Sequence, residues 1–430
     1  MSPNFPPLKL RAALMAYGLL WWLLLPAIML YLWHRGRKDP HYTQHIGERF
    51  GRYEGGPKGA VWIHAVSLGE VRSATPLIQA LLGQGETVLL THFTPAGRRE
   101  AMRQFSTEIA AGTVKSVWVP FEYGFAYRRF LTHFRPKYGL VMEIEVWPRM
   151  IMACRKYDAP LFMCNAQYPK KSLAKDTKGL GLRAALFAGY AGGFVKSEGQ
   201  RQRFAQVGLP NIHVTGELRF DQPIPQAQLD AGAACRMALT NGRPSFTLTS
   251  VVEGEDAIYI DMIRQTKGVF FTYVPRAPER FDEVAKLLAD AGLRMARRSE
   301  LFDIDLRLID NAPDIDVLLG DSMGEMYFYL SLCDRAIVGG GFAPQGAHNV
   351  IEPLALKKNV LVGPHIWTIE YPATEAIAAG VCTVIRDGAA LLQAVQSPTP
   401  VTEAQITTFY QDHAGGVART LAAIPKALLR

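Results

Sequence analysis

Between Ala12 and Trp33 the chain carries no charged residue. A helix of that length matches the roughly 30 Å hydrocarbon layer of a bilayer. The segment therefore has two possible fates: a buried core helix, or a helix that meets lipid. Trp21, Trp22, Tyr31 and Trp33 belong to the residue types that gather at membrane–water interfaces, although Trp21 and Trp22 sit mid-run. A cleavable leader would have a shorter apolar core and a small-residue cleavage site, whereas His34-Arg35-Gly36-Arg37-Lys38 follows here. Lys9 and Arg11 precede the run, and the longer basic flank lies C-terminal to it, which predicts a cytoplasmic body. We expect residues 1–34 to form one membrane anchor, since no second run of this kind occurs.

The remainder alternates short apolar runs with amphipathic segments. Ala60–Val66, Thr87–His92, Val114–Val119, Tyr138–Met142, Leu161–Asn165 and Gly193–Lys196 read as strands. A polar, proline-bearing stretch, Gly216–Arg243, separates them from a second series: Phe246–Ser250, Val269–Val274, Val317–Leu319, Ala336–Val338 and Asn359–Val362. Such alternation predicts βαβ units and parallel sheets. The 430 residues suit two cores better than one. The expected architecture is α/β, with doubly wound domains over 35–220 and 221–430 and a cleft between them. Ligands in such sheets bind beyond the carboxyl ends of the strands.

A net charge of +8 favours acidic partners. No basic run interleaved with aromatics reads as a nucleic-acid site, so anionic lipid and phosphate-bearing substrates are the expected class. The five cysteines are scattered without a CxxC pair, which fits a reducing compartment and excludes a disulfide framework. HExxH, GxSxG and P-loop motifs are absent, as is any clustered ligand set. Metal-independent chemistry without a cofactor is expected.

Several strand-end loops carry candidate chemistry. Ser67-Leu68-Gly69-Glu70 follows a buried strand, and Glu70 suits either a general base or a partner for the helix dipole. Glu143 and Glu145 follow another strand and alternate in direction, one toward the cleft and one toward the core or an ion pair. Arg276 sits between Pro275 and Pro278 and suits a phosphate. Ser322 and Glu325 read as a capping box before an apolar helix, with Gly324 and Met326 at a helix start able to meet a phosphate. The run Gly339-Gly340-Gly341, followed by Gly346, Asn349 and Glu352, is a glycine-rich loop after a strand. Asn349 and Glu352, three apart, would share a helix face and read a nucleotide. A tight structural turn accounts for the same glycines.

These motifs, in this order, resemble the Kdo (3-deoxy-D-manno-oct-2-ulosonic acid) transferase family over essentially the whole chain. The residues that carry the resemblance are His64-Ala65-Val66-Ser67-Leu68-Gly69-Glu70, Glu145-Val146-Trp147-Pro148 and the nucleotide-type loops. The resemblance implies a GT-B fold of two Rossmann-like domains, the first for the acceptor and the second for the CMP-sugar. It implies transfer of Kdo from CMP-Kdo, the donor substrate, to a lipid A precursor on the cytoplasmic face of a bacterial inner membrane. Glu70 would then be the general base of an inverting displacement, with Ser67, Gly69 and Glu145 on the acceptor side. Arg276, Gly324, Glu325, Met326, Gly340, Asn349 and Glu352 would form the CMP pocket.

The chain departs from the family pattern at Ala277 (His in the family), Gln167 (Arg), Glu217 (Asn) and Ala347 (Gly), and at Val251-Val252-Glu253, where Thr-His is usual. Lost basic groups and added carboxylates reduce charge complementarity toward an anionic donor or acceptor. They leave open a relative that uses another CMP-activated ulosonate or acceptor, or a non-catalytic module that binds lipid A or proteins.

Overall fold

The computed structural model describes residues 5–398 and 401–429. The chain forms two compact units: 1–222 together with 414–430, and 223–413. The first holds seven strands: β1 (Val61–His64), β2 (Val88–His92), β3 (Val114–Trp118), β4 (Tyr138–Met142), β5 (Leu161–Ala166), β6 (Gly192–Val195) and β7 (Ile212–Val214). Their order is β3-β2-β1-β4-β5-β6-β7, with every pair parallel. The second holds β8 (Ser245–Val251), β9 (Phe270–Pro275), β10 (Met295–Arg297), β11 (Val317–Leu319), β12 (Arg335–Val338), β13 (Asn359–Val362) and β14 (Cys382–Val384). Their order is β10-β11-β9-β8-β12-β13-β14, again parallel throughout. Each unit is thus a doubly wound α/β layer structure, as the alternating pattern predicts.

The central strands bury both faces, which is why they read as unbroken apolar runs. In the first unit Trp62, Leu89, Val141 and Met163 enter one core, while Val61, Ile63, Leu90, Leu140 and Phe162 enter the other. Three strands were not expected from sequence: β7, β10 and β14. Each has three residues and lies at a sheet edge. Their side chains are half-buried or exposed apart from Cys382, so they carry too little apolar signal to stand out.

Residues 414–430, assigned from sequence to the second domain, pack with the first unit instead. Ile424 and Ala427 of the helix Gly416–Leu428 join the core that holds Leu218. The Asp221 carboxylate accepts from the Gly415 and Val417 amides at 2.5 and 2.6 Å, holding the start of that helix. A carboxylate at a helix N-terminus also complements its dipole.

The helix Leu8–Gly36 covers the uncharged run and is long and apolar enough to cross a membrane.

Candidate active site

In the first unit the strand order reverses between β1 and β4, which places the loops after these two strands at the switch point of the sheet. The loop after β1 leads into the helix Leu68–Gly83, with Ser67 as its N-cap. Ser67 and Glu70 form a reciprocal pair. The Glu70 amide donates to Ser67 Oγ at 3.4 Å, and the Ser67 hydroxyl donates to Glu70 Oε1 at 3.3 Å. The Val66 amide donates to Glu70 Oε2 at 2.6 Å. Gly69 is exposed on the first turn beside them. Burial pushes the Glu70 carboxyl up to about 8 against the Val66 bond, and the charges of Glu145 and Glu143 push the same way. The Glu70 carboxylate thus sits at the helix start, bound to the Val66 amide and the Ser67 hydroxyl.

The loop after β4 supplies the neighbouring carboxylates, and each has its own tether. Glu143 adopts φ +57° and lies 3.3 Å from Arg219 and 3.9 Å from Lys196. Glu145 Oε2 accepts from Trp147 Nε1 at 2.9 Å, and the Tyr190 hydroxyl donates to the Glu145 carbonyl at 2.5 Å. Burial raises the Glu145 carboxyl. Glu143 thus takes the ion-pair role, while Glu145 is held by an indole.

Sequence reasoning marked Glu217 only as a departure. In the structure it is 2% exposed and lies 2.7 Å from the Lys196 ammonium. Asn165 Nδ2 donates to Glu217 Oε1 at 2.7 Å and to Ser73 Oγ at 3.0 Å. Burial disfavours the Glu217 charge, but Lys196 and Arg219 outweigh it and hold the carboxyl down at about 2. The added negative charge is neutralised inside the unit, and the network ties the Glu70 helix, through Ser73, to the strands beside it. Behind them, burial holds His64 and His92 neutral, each lowered to about 3. His64 Nδ1 lies 2.8 Å from Thr91 Oγ1, and its ring meets Trp147 edge-on at 5.9 Å.

In the second unit the reversal lies between β8 and β12, so the glycine loop after β12 also begins at a switch point. The fully buried Glu255 carboxylate accepts from the Gly340 amide at 2.7 Å and the Phe342 amide at 2.9 Å. Gly340, at φ +85°, has its amide committed to this carboxylate, which shapes the loop from inside. At Gly339 a Cβ would sit 2.6 Å from the Ser250 carbonyl, so the backbone approach itself requires glycine. Ala347 is fully buried with its methyl accommodated, and its amide donates to the His365 carbonyl at 2.7 Å.

Arg276, after β9, reaches this loop. Its Nη1 contacts both ring nitrogens of His348, with Nε2 at 3.0 Å. Burial and the Arg276 charge lower His348 to about 4, which leaves a neutral ring against the guanidinium. The turn at Gly324, after β11, is held differently. Gln228 Nε2 donates to the Gly324 carbonyl at 2.9 Å, and Arg298 Nη2 donates to Glu325 Oε1 at 2.6 Å.

Two local expectations change. The helix Met326–Ser331 has Glu325, not Ser322, as its N-cap, and the Ser322 hydroxyl donates to the Glu325 carboxylate. That carboxylate also accepts from the Tyr329 hydroxyl at 3.4 Å. Asn349 and Glu352 do not share a helix face, because the helix is Ile351–Ala355 and Asn349 precedes its cap Val350. Asn349 Oδ1 accepts from the Ile351 amide at 2.9 Å, so it sets the turn into the helix.

Comparison with known proteins agrees with these motifs. A family model described as 3-Deoxy-D-manno-octulosonic-acid transferase (kdotransferase) matches residues 44–222. A 3-deoxy-D-manno-octulosonic acid transferase of Bordetella pertussis is 40% identical over 421 residues, covering 93% of this chain and 96% of that protein. One from Haemophilus influenzae is 29% identical over 360 residues, covering 81% of each. A crystal structure of a glycosyltransferase from Rickettsia africae superposes with a TM-score of 0.56 at 13% identity, covering 86% of this chain and 99% of that one. That likeness is one of fold. The chain belongs to the 3-deoxy-D-manno-octulosonic acid transferase family and is a glycosyltransferase enzyme with the two-unit GT-B architecture.

Proposed function

We propose that the enzyme transfers Kdo from CMP-Kdo to a hydroxyl of a lipid A precursor, at the cytoplasmic face of a bacterial inner membrane. The observation that carries this reading is the Glu70 carboxylate, held by the Val66 amide and Ser67 after β1 in a chain 40% identical to a 3-deoxy-D-manno-octulosonic acid transferase, and raised by burial to about 8. A base near neutral pH suits removal of a proton from an alcohol as it attacks. In this mechanism Glu70 takes the hydroxyl proton and the acceptor oxygen bonds to the anomeric carbon. The bond from that carbon to the CMP phosphate oxygen breaks, CMP leaves with the electron pair, and the configuration inverts. Ser67 and the Val66 amide hold the carboxylate in place, while Gly69 and Glu145 line the acceptor side.

Arg276 would receive the phosphate. Its planar fork already sits against a neutral His348, so the added charge meets a cation without a competing one. Asn349, Glu352, Gly324, Glu325, Met326 and the loop around Gly340 complete the proposed CMP pocket. The leaving phosphate requires charge stabilisation more than protonation, so the mechanism needs neither a metal nor a cofactor.

The test is incubation of the purified full chain with CMP-Kdo and tetra-acylated lipid A precursor, with mass spectrometry of the lipid. A Kdo mass increment that disappears in Glu70→Ala supports the proposal. Folded protein that binds CMP yet adds no Kdo overturns it, in favour of a different ulosonate or acceptor.

A further inference from the structure

The helix Leu8–Gly36 has the composition of a membrane span, and one face of it touches the first unit. Leu10, Leu14 and Leu32 are buried, and Trp21, Leu25 and Ile28 pack partly buried against the first unit. Spaced three, four or seven apart, these positions form one stripe. From Leu10 to Leu32 the stripe runs about 33 Å, the thickness of a bilayer's hydrocarbon layer. The contact is a narrow one: 6% of the most apolar 18-residue stretch is buried, and between Leu14 and Leu32 the stripe is only partly buried.

Polar contacts reinforce the attachment. Arg149 Nη2 donates to the Leu14 carbonyl at 2.8 Å, and the Tyr123 hydroxyl donates to the Trp21 carbonyl at 2.8 Å. Tyr17 donates to the fully buried Glu122 carboxylate at 3.3 Å, which also accepts from the Arg149 amide at 2.7 Å. Gly18 leaves room for the guanidinium, since a Cβ there would lie 2.0 Å from Arg149 Nη2. Trp21 stands near the midpoint of the helix, so spanning would carry Glu122 and Arg149 toward mid-bilayer. Charged groups at that depth are unfavourable, and the loops of the unit around them would be left without water.

The opposite face is apolar and uncovered. Met15, Leu19, Trp22, Leu23, Leu30 and Trp33 are each more than half exposed. Exposed basic residues flank it at both ends: Lys9 and Arg11, then Arg35, Arg37 and Lys38. An apolar stripe bounded by cations complements an anionic phospholipid surface better than a second copy of the same basic helix. We propose that this helix lies flat in the interfacial layer of an anionic bilayer, strapped to the first unit along one face and dipped into lipid along the other, so that the protein occupies one leaflet without crossing. The inference rests on the membrane reading of the function.

The test uses the full chain with Lys9→Cys or Arg37→Cys, in inside-out and right-side-out vesicles from an expressing bacterium. The five native cysteines are buried, so labelling by an impermeant maleimide reports the new thiol. Both positions labelling from the same side supports the proposal. Labelling from opposite sides overturns it while leaving the membrane reading intact. A chain that leaves the membrane fraction, or a dimer in which Leu19→Cys is shielded without lipid, overturns both. In flotation with phosphatidylethanolamine/phosphatidylglycerol vesicles, Leu23→Glu should lower binding at least tenfold. Equal binding by Leu23→Glu would overturn the proposal.

Discussion

The Lys196 ammonium lies 2.7 Å from the Glu217 carboxylate, with both side chains almost wholly buried. Removing one partner strands the other charge in a dry site, at a cost of about 3–5 kcal/mol. Glu217→Ala should therefore lower the thermal transition of the full chain strongly. Lys196→Met with Glu217→Leu should restore most of the loss. Differential scanning calorimetry checks both. A Glu217→Ala chain as stable as the parent would mean that the pair is not closed in solution.

The pH profile follows from Glu70. Its carboxyl is raised from about 4.5 to about 8, chiefly by burial. As a base it must be ionised, so kcat/KM should fall about tenfold per pH unit below pH 8 and level off above it. Glu70→Gln should lose about two to four decades on the plateau above pH 8, and less at lower pH, where the parent's base is itself protonated. Stability runs the opposite way. Between these two values the native state binds more protons than the unfolded state, so the Glu70 contribution is whole below about pH 4.5 and is lost as pH rises through about 8. Rate against pH, with denaturant melts of parent and Glu70→Gln, separates the two effects.

Glu255 and Arg276 should separate loop integrity from ligand charge. Glu255→Gln places an amide where two backbone N–H groups converge, and should cost about 1–3 kcal/mol of stability while weakening CMP binding. Arg276→Ala removes an exposed cation and should leave the melt unchanged. It should weaken CMP by about 10–150-fold, the worth of a hydrogen bond to a charged group. Calorimetric titration with CMP beside thermal melts distinguishes them.

Arg149→Ala should loosen the N-terminal helix without reaching the sheet. The variant loses one charged hydrogen bond to the Leu14 carbonyl, about 1.5–3 kcal/mol. Hydrogen exchange should speed up in the helix and stay unchanged in β1 and β4. Exchange that accelerates equally in the sheet would mean that Arg149 holds more than the helix.

The two parallel sheets were legible because their central strands are dry on both faces, giving runs such as Val61–His64 and Arg335–Val338. Edge strands such as Met295–Arg297 were not, since three half-exposed residues resemble a loop. Glu70 stood out by its place after a strand, whereas its reciprocal pairing with Ser67 was not read from the sequence. The Lys196–Glu217 pair was hidden, because its members lie 21 residues apart in sequence and only the packing of β6 and β7 brings them together. Glu255 was hidden for a similar reason: nothing local in Gly254-Glu255-Asp256 says that its carboxylate turns inward to bind the loop 85 residues on.

Because residues 223–413 form one unit between two parts of the other, the second unit is an insert in the first. A ribosome completes the insert while the unit that holds Glu70 still lacks the helix Gly416–Leu428. The half begun first is thus the last to be finished. A stop codon near residue 414 would damage the proposed acceptor half, at the far end of the gene from where most of that half is encoded.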